Sequence, residues 1–201
     1  MNDKQENSQE FTEHIPGKVT LLFSILVREP SEMFRIAGVA WNTFIYCYVK
    51  RCIGKGSVVG GNLTIINSSN VKFGKNCLLQ DSVYIRAGRE GKVVAGDGVA
   101  FNSFVKIFGH GTVEIGDNTQ LGPGTLLTTT GHAYDTGMKV NYKKIVIGKG
   151  VWVGANVTIL QDVEIGDFSV IGAGAVVNKS IPPNSMAAGV PARVIKTIHR
   201  E

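Results

Sequence analysis

The chain has 201 residues, a formal net charge of +5, 25 glycines, 8% aromatic and 18% charged residues. That length suits one domain, and no basic run is longer than Lys50-Arg51 or Lys143-Lys144, so the stripe of cations interleaved with aromatics that marks a nucleic-acid binder is missing. Glycine follows no third-residue period, which excludes a collagen.

The first stretch, MNDKQENSQEFTEH, is polar and acidic, the opposite of a secretory leader, and residues 1 to 15 are expected to be disordered. An apolar segment, Lys18 to Val27, leads to Glu29-Pro30-Ser31-Glu32, where Ser31 is a candidate helix cap. Met33 to Arg51 reads as a helix. Phe34, Ala37, Trp41, Phe44, Ile45 and Tyr48 fall near one face at three- and four-residue spacing. Such a helix suits the open end of a repeat structure; its aromatic face and Lys50-Arg51 end also suit a membrane surface. The apolar run Ile36 to Val49, broken by Asn42 and Thr43, is too short to span a bilayer. Cys47, Cys52 and Cys77 are odd in number and lack CxxC spacing, so reduced thiols in a cytoplasmic protein are expected rather than a disulfide framework or a zinc ribbon.

From Ile53 the sequence repeats every six residues. The clearest run, Ile145 to Ile181, places Ile147, Val153, Ile159, Ile165, Ile171 and Val177 in one register, with Ile145, Val151, Val157, Val163, Ser169 and Ala175 two places earlier in each unit. A short fixed period with one large aliphatic per unit is the signature of a parallel β-helix, in which each unit is a short strand plus a turn and three units close a coil. Gly, Asn and Asp in GKG, GAN, QDV, GDF and GAG suit turns that need left-handed backbone. Earlier hexads carry Ile53, Val59 and Ile65, then Phe73, Leu79 and Ile85, then Ala95, Phe101 and Ile107, then Ile115, Leu121 and Leu127. Their register slips at Asn67–Asn70, across Arg86–Lys92 and at Gly109-His110-Gly111. After Thr128 it stops for TTTGHAYDTGMKVNYKK and restarts at Ile145. Insertions in a repeat protein map to loops, and loops carry function. The expected organisation is a tail and helical cap over 1–52, the β-helix over 53–181 with an external loop at 128–144, and a C-terminal loop with a short basic helix over 182–201.

His132 sits in that one long insertion among small and polar residues, and histidine is the side chain whose ordinary range lets it take a proton from a hydroxyl at neutral pH. His14 and His199 lie near the ends and His110 at a coil turn, where solvation is expected. Three converging imidazoles are not in sight, so no metal is expected. Trp152 is too large for a narrow coil core, so an outward, wall-forming place is expected.

The VWVGANVTILQDVEIGDFSVIGAGAVV block, the KSIPPNSMAAGVPARVIK tail and the TTTGHAYD loop resemble the hexapeptide-repeat O-acetyltransferases, in particular the galactoside and maltose acetyltransferases and the related enzymes of surface-polysaccharide synthesis. The resemblance is strong over residues 95–196, architectural over 53–94 and absent over 1–50. It implies left-handed coiling, a homotrimer whose grooves lie between neighbouring subunits, and acetyl-CoA as acyl donor with no metal.

Residue by residue, it implies His132 as general base and Asn102, in FNSF, as a hydrogen-bonding partner of the acceptor sugar. Trp152 falls beside the thioester arm, the Ala155 backbone N–H faces the thioester carbonyl, and Ala173 contacts the pantetheine arm. Lys179 and Arg193 fall near the nucleotide phosphates. The implied reaction is acetyl transfer to a sugar hydroxyl, on a saccharide or a surface-polysaccharide precursor. Amino-sugar N-acetylation is the nearest alternative. Serine and chloramphenicol-type acetyltransferases share the repeat, and a solenoid that binds without catalysis is the reading from a different class.

Overall fold

The computed structural model describes residues 30–133 and 137–199. The tail and the apolar Lys18–Val27 segment lie outside the described residues. The chain divides into two units, residues 1–37 and 38–201, of which the second carries the repeat.

The repeat builds about six coils of a parallel β-solenoid. Three sheets run along it. The first, eight strands deep, contains Val58–Val59, Leu78–Leu79, Ala100–Phe101, Gln120–Leu121, Trp152–Val153, Val170–Ile171, Ser185–Ala188 and Arg193–Thr197. The second has six strands, Thr64–Ile66, Tyr84–Ala87, Lys106–Gly109, Leu126–Thr128, Thr158–Ile159 and Val176–Val177. The third has five, Val71–Phe73, Val93–Ala95, Val113–Ile115, Ile145–Ile147 and Val163–Ile165. A coil passes from the third sheet to the first and then the second, which defines three corners: third-to-first, first-to-second and second-to-third.

Parallel pairing aligns each hexad with the one in the next coil: Leu121 stands opposite both Phe101 and Val153, and Leu127 opposite both Ile107 and Ile159. Every residue of the expected inward register is buried, including Ile147, Val153, Ile159, Ile165, Ile171 and Val177. From Ser57 onward the residues two places earlier are buried too, four of them polar: Ser57, Thr119, Thr125 and Ser169, whose hydroxyl donates to the Pro182 carbonyl at 2.9 Å. At the first-to-second corner the third residue of each turn has positive φ: Asn62, Ser82, Phe104, Gly124, Asn156 and Gly174. Gly124 meets a second demand there, because a Cβ would collide with the Asn156 side-chain oxygen stacked on it.

The N-terminal helix is shorter and differently oriented than its sequence predicts. It is α-helical over Pro30–Phe44 and relaxes into a π-turn over Ile45–Val49; Ser31 lies within the helix rather than capping it. The aromatic stripe faces away from the coils: Trp41, Phe44 and Tyr48 are 64%, 51% and 53% exposed and stack on one another at 6.2 and 6.0 Å. The coil-facing side is polar. Thr43 Oγ1 accepts from Val59 N–H at 3.0 Å, Asn42 Nδ2 donates to the Gly60 carbonyl at 2.9 Å, and the Tyr46 hydroxyl donates to the Leu63 carbonyl at 3.1 Å. A terminal coil leaves backbone donors and acceptors without a neighbour, and these side chains supply one.

The C-terminal segment is a strand, not the expected helix. Arg193–Thr197 turns back antiparallel on Ser185–Ala188, extending the first sheet, and that pairing satisfies backbone groups that a helix there would leave on an open edge. Val194 and Ile195 are exposed along it.

Phe101 is fully buried and meets Phe73 edge-on at 5.2 Å and 76°. Phe101→Ala is expected to cost ~3–5 kcal/mol through the cavity it leaves between coils, read as a lower denaturation midpoint in urea; an unchanged midpoint would show that the coils collapse into the gap.

Candidate active site

All four register slips of the repeat fall at the second-to-third corner. Ser68–Asn70 forms a 3-10 turn there, residues 88–92 form a longer turn and residues 110–112 a short one in the following coils, and the large insertion projects from the same corner of the next one. That insertion is a β-hairpin rather than an open loop. Thr130–Ala133 pairs antiparallel with Lys139–Tyr142, with Thr130 opposite Tyr142 and His132 opposite Val140.

His132 is exposed, and its Nδ1 lies 3.2 Å from the Met138 carbonyl oxygen. A carbonyl only accepts, so Nδ1 carries the proton and Nε2 presents its lone pair outward. The hairpin is braced on its other face, where Gln161 Nε2 donates to Asn141 Oδ1 at 2.8 Å. Gln161 packs so tightly against Gly131 that a Cβ at Gly131 would collide with its side-chain amide. Gln161 Oε1 is buried with no hydrogen-bond partner among the described residues.

The other residues implicated by sequence stand elsewhere. Asn102, Ala155 and Ala173 all occupy the first-to-second corner, in successive turns Asn102-Ser103-Phe104, Gly122-Pro123-Gly124, Gly154-Ala155-Asn156 and Gly172-Ala173-Gly174. Asn102 Nδ2 donates to the Leu121 carbonyl at 2.8 Å, which leaves its amide oxygen available. Trp152, on the first sheet three residues before Ala155, points outward and is 59% exposed.

The chemistry of this corner changes along the stack. Along it two early middle amides are capped by a side chain, Gly61 N–H by Asp81 Oδ1 at 2.6 Å and Ser103 N–H by Gln80 Oε1 at 3.2 Å, while Asp81 N–H in the coil between them has no hydrogen-bond partner among the described residues. Further on, Pro123 has no N–H, and the Ala155 and Ala173 N–H groups have no hydrogen-bond partner among the described residues. Two bare amides beside an outward tryptophan form a wall that can receive a carbonyl-rich, partly apolar chain. Lys179 is exposed at the second-to-third corner of the last coil, and Arg193 is exposed on the terminal strand, its Nη1 donating to the Ala192 carbonyl at 2.8 Å.

One chain therefore does not gather the set. His132 and the Ala155 amide lie at successive corners with the second sheet between them, and no hydrogen bond joins His132 to Asn102, Trp152 or Ala155 among the described residues. His110, expected to be solvated, is half-buried and stacks on Tyr142 at 5.3 Å and 17°. Sequence reasoning missed Gln161 and Tyr142, whose roles depend on what the hairpin folds against.

The described residues contain no group of three or more His, Cys, Asp or Glu side chains arranged to hold a metal, and no helix among them is long and apolar enough to cross a membrane.

Residues 144–179 match the bacterial transferase hexapeptide family of six repeats. A galactoside O-acetyltransferase of Escherichia coli is 39% identical over 140 residues, 68% of each chain. The chain belongs to the hexapeptide-repeat acetyltransferases. Within that family, a galactoside acetyltransferase solved in complex with coenzyme A is 34% identical with a TM-score of 0.54, the match covering 73% of this chain and 64% of that one. An N-acyltransferase of Bacillus cereus, solved with dTDP and 3-hydroxybutyryl-CoA, shares the fold at 21% identity and a TM-score of 0.68, covering 76% of this chain and 87% of that one.

The Gln161 brace generates a test. Gln161→Ala is expected to lower kcat for acetyl transfer about fivefold, the equivalent of one ~1 kcal/mol hydrogen bond, with Tm nearly unchanged and donor KM retained. Equal kcat in the two proteins would show that the hairpin holds its geometry without the brace.

Proposed function

We propose that this protein transfers the acetyl group of acetyl-CoA to a hydroxyl of a saccharide or surface-polysaccharide precursor, with His132 as general base. The observation that carries the reading is the Nδ1–Met138 hydrogen bond, which fixes the tautomer that a base needs, on the one hairpin projecting from an otherwise regular solenoid. The coenzyme A in the solved galactoside acetyltransferase supports the donor. The bare Ala155 and Ala173 amides and outward Trp152 fit its acyl and pantetheine portions, and Lys179 and Arg193 fit its phosphates.

His132 Nε2 takes the proton of the acceptor hydroxyl as its oxygen attacks the acetyl carbonyl. The Ala155 N–H faces the oxyanion that develops on that carbonyl. The imidazolium then returns its proton to the departing thiolate, so the protein needs no covalent intermediate. Cys47, Cys52 and Cys77 suit no nucleophilic role: all three are buried, and burial pushes each thiol up from its ordinary range.

Because His132 and Ala155 lie at different corners, the complete site is assembled between copies of the chain. A homotrimer is our reading, with His132 of one copy facing the Ala155 corner of the next, and Asn102 reaching the acceptor across the same seam. The donor and the free thiols support a cytoplasmic location.

Two variants test the chemistry. His132→Ala is expected to lower kcat/KM by ~10²–10⁴ while coenzyme A still binds by calorimetry. Ala155→Pro removes the oxyanion donor and should cost ~10²–10³. The corner tolerates proline, since Pro123 occupies the equivalent place one coil earlier. Full turnover in either variant would remove that residue from the mechanism.

We also propose that the exposed Trp41–Phe44–Tyr48 stack, followed by Lys50 and Arg51, rests on an anionic membrane surface close to a lipid-linked acceptor. Co-sedimentation with vesicles containing anionic lipid should be lost in a Trp41→Ser/Phe44→Ser double variant; equal recovery of both proteins in the supernatant would refute it.

A further inference from the structure

The turns that accumulate at the second-to-third corner enclose a cleft of about 890 Å³ on the N-terminal side of the hairpin. Its walls are Asn67 from one coil, Arg86 to Glu90 from the next, His110 to Thr112 from the third, and Val140 to Lys144 from the hairpin and its exit. Directly opposed residues of an antiparallel pair present their side chains on one face. Tyr142 faces the cleft, stacked on His110; Val140, two residues away, shares that face and lines the cleft too. His132 is the cross-strand partner of Val140, so its side chain shares the hairpin face of Val140 and Tyr142, diagonal to Tyr142 at ~7–8 Å in ordinary strand-pair geometry, beside the cleft rather than among its lining residues.

The cleft lining carries four cations, Arg86, Arg89, Lys143 and Lys144, and one carboxylate, Glu90. The lysines are already engaged, Lys143 with Asp162 at 2.6 Å and Lys144 with Glu114 at 2.7 Å. The arginines are not: both are exposed, and neither has an ion pair among the described residues. Their backbone is held rigidly from the preceding coil. Asn67 Nδ2 donates to the Ala87 carbonyl at 2.8 Å, and Asn70 Nδ2 to the carbonyls of Gly88 and Arg89 at 3.0 Å each. Arg86 is also fixed in register within the second sheet, between Ile66 and Phe108. Two guanidinium forks on a pre-organised segment, beside an exposed aromatic face that His132 shares on the hairpin, are the chemistry that recognises a sugar ring carrying an oxyanion.

Resting on the acetyl-transfer reading above, we propose that this cleft is the acceptor subsite and that it selects an anionic saccharide, one bearing a phosphate or a carboxylate, through Arg86 and Arg89. The donor's phosphates are accounted for separately by Lys179 and Arg193, which lie on the C-terminal side of the hairpin in the chain's last turns. Tyr142 and His110 offer the ring its apolar face, and His132 meets the hydroxyl that projects toward the hairpin.

The test uses the full-length protein and three probes, a hexose 1-phosphate, a hexuronate and the matching neutral methyl hexoside. Calorimetric binding is measured alongside acetyl-CoA turnover, for wild type, Arg86→Ala/Arg89→Ala and, as a control on the third sheet, Lys72→Ala. Wild type should prefer at least one anionic probe to the neutral one by ~10–100-fold in Kd and in kcat/KM, a size typical of hydrogen bonds to a charged group. The double variant should bring that ratio close to one while coenzyme A affinity is retained, and Lys72→Ala should leave the ratio at the wild-type value. A preference for phosphate over uronate, or the reverse, identifies the oxyanion. Equal binding of all three probes to wild type overturns the proposal. So does loss of coenzyme A affinity in the double variant, which would assign the arginines to the donor. Saccharide turnover that is indifferent to charge would leave acetyl transfer standing and remove only this inference. Anionic binding lost in the double variant, with no turnover of any probe, would keep an anionic-saccharide site in the cleft and overturn its assignment as the acceptor subsite.

Discussion

Backbone hydrogen bonding between successive coils sets the terms for the rest of this molecule. Each strand donates and accepts along the stack, as in Trp152 N–H to Ser169 at 2.9 Å and Gly154 N–H to Ile171 at 2.8 Å. With the main chain committed to that ladder, a side chain has only two destinations. Inward positions are shared by every coil and are mostly aliphatic, with Phe73 and Phe101 packed on each other and Ser169 hydrogen-bonded where they are not. Outward positions and corners are free. A coil cannot change shape on its own without breaking bonds to two neighbours, so chemistry enters at corners, where residues can be added without shifting the strands.

The three corners have diverged accordingly. At the first-to-second corner the turn length is constant, and the variation lies in which amides are capped: Asp81 and Gln80 cover those of Gly61 and Ser103, while Asp81, Ala155 and Ala173 leave theirs without a partner among the described residues. At the second-to-third corner the variation lies in length. Successive insertions deepen a cleft, and the last of them folds over it as a hairpin. In the proposed reaction the donor wall and the acceptor cleft lie on different corners of one chain, so the reading requires a second copy packed alongside.

The ends of the stack follow from the same ladder. The first coil's unpaired groups are met by Thr43 and Asn42, so the helix turns its polar side inward and leaves Trp41, Phe44 and Tyr48 outside. An amphipathic pattern is ordinarily read with the apolar face buried; here the demand of an open strand edge outweighs it. At the other end the chain doubles back as Arg193–Thr197. Basic and aliphatic residues there read equally well as a short helix, and the free edge of Ser185–Ala188 decides for a strand.

The sequence by itself determined the repeat, the inward register from Ile53 to Val177 and the place of the insertion that carries His132, because these depend on a local period that every coil enforces on the next. It also carried the family, through residues contiguous in the chain. The slips at Asn67, Arg86, Gly109 and Thr128 each follow a set of three hexads, so their common corner was legible as well; only the tertiary structure decided that they wall one cleft. The Nδ1 bond that fixes the tautomer of His132, and the neighbours that engage Lys143 and Lys144 but leave Arg86 and Arg89 unpaired among the described residues, were likewise settled only there. Those relations join residues separated by one or more whole coils, and a six-residue period holds no information about which outward side chains stack above one another once insertions have changed the count.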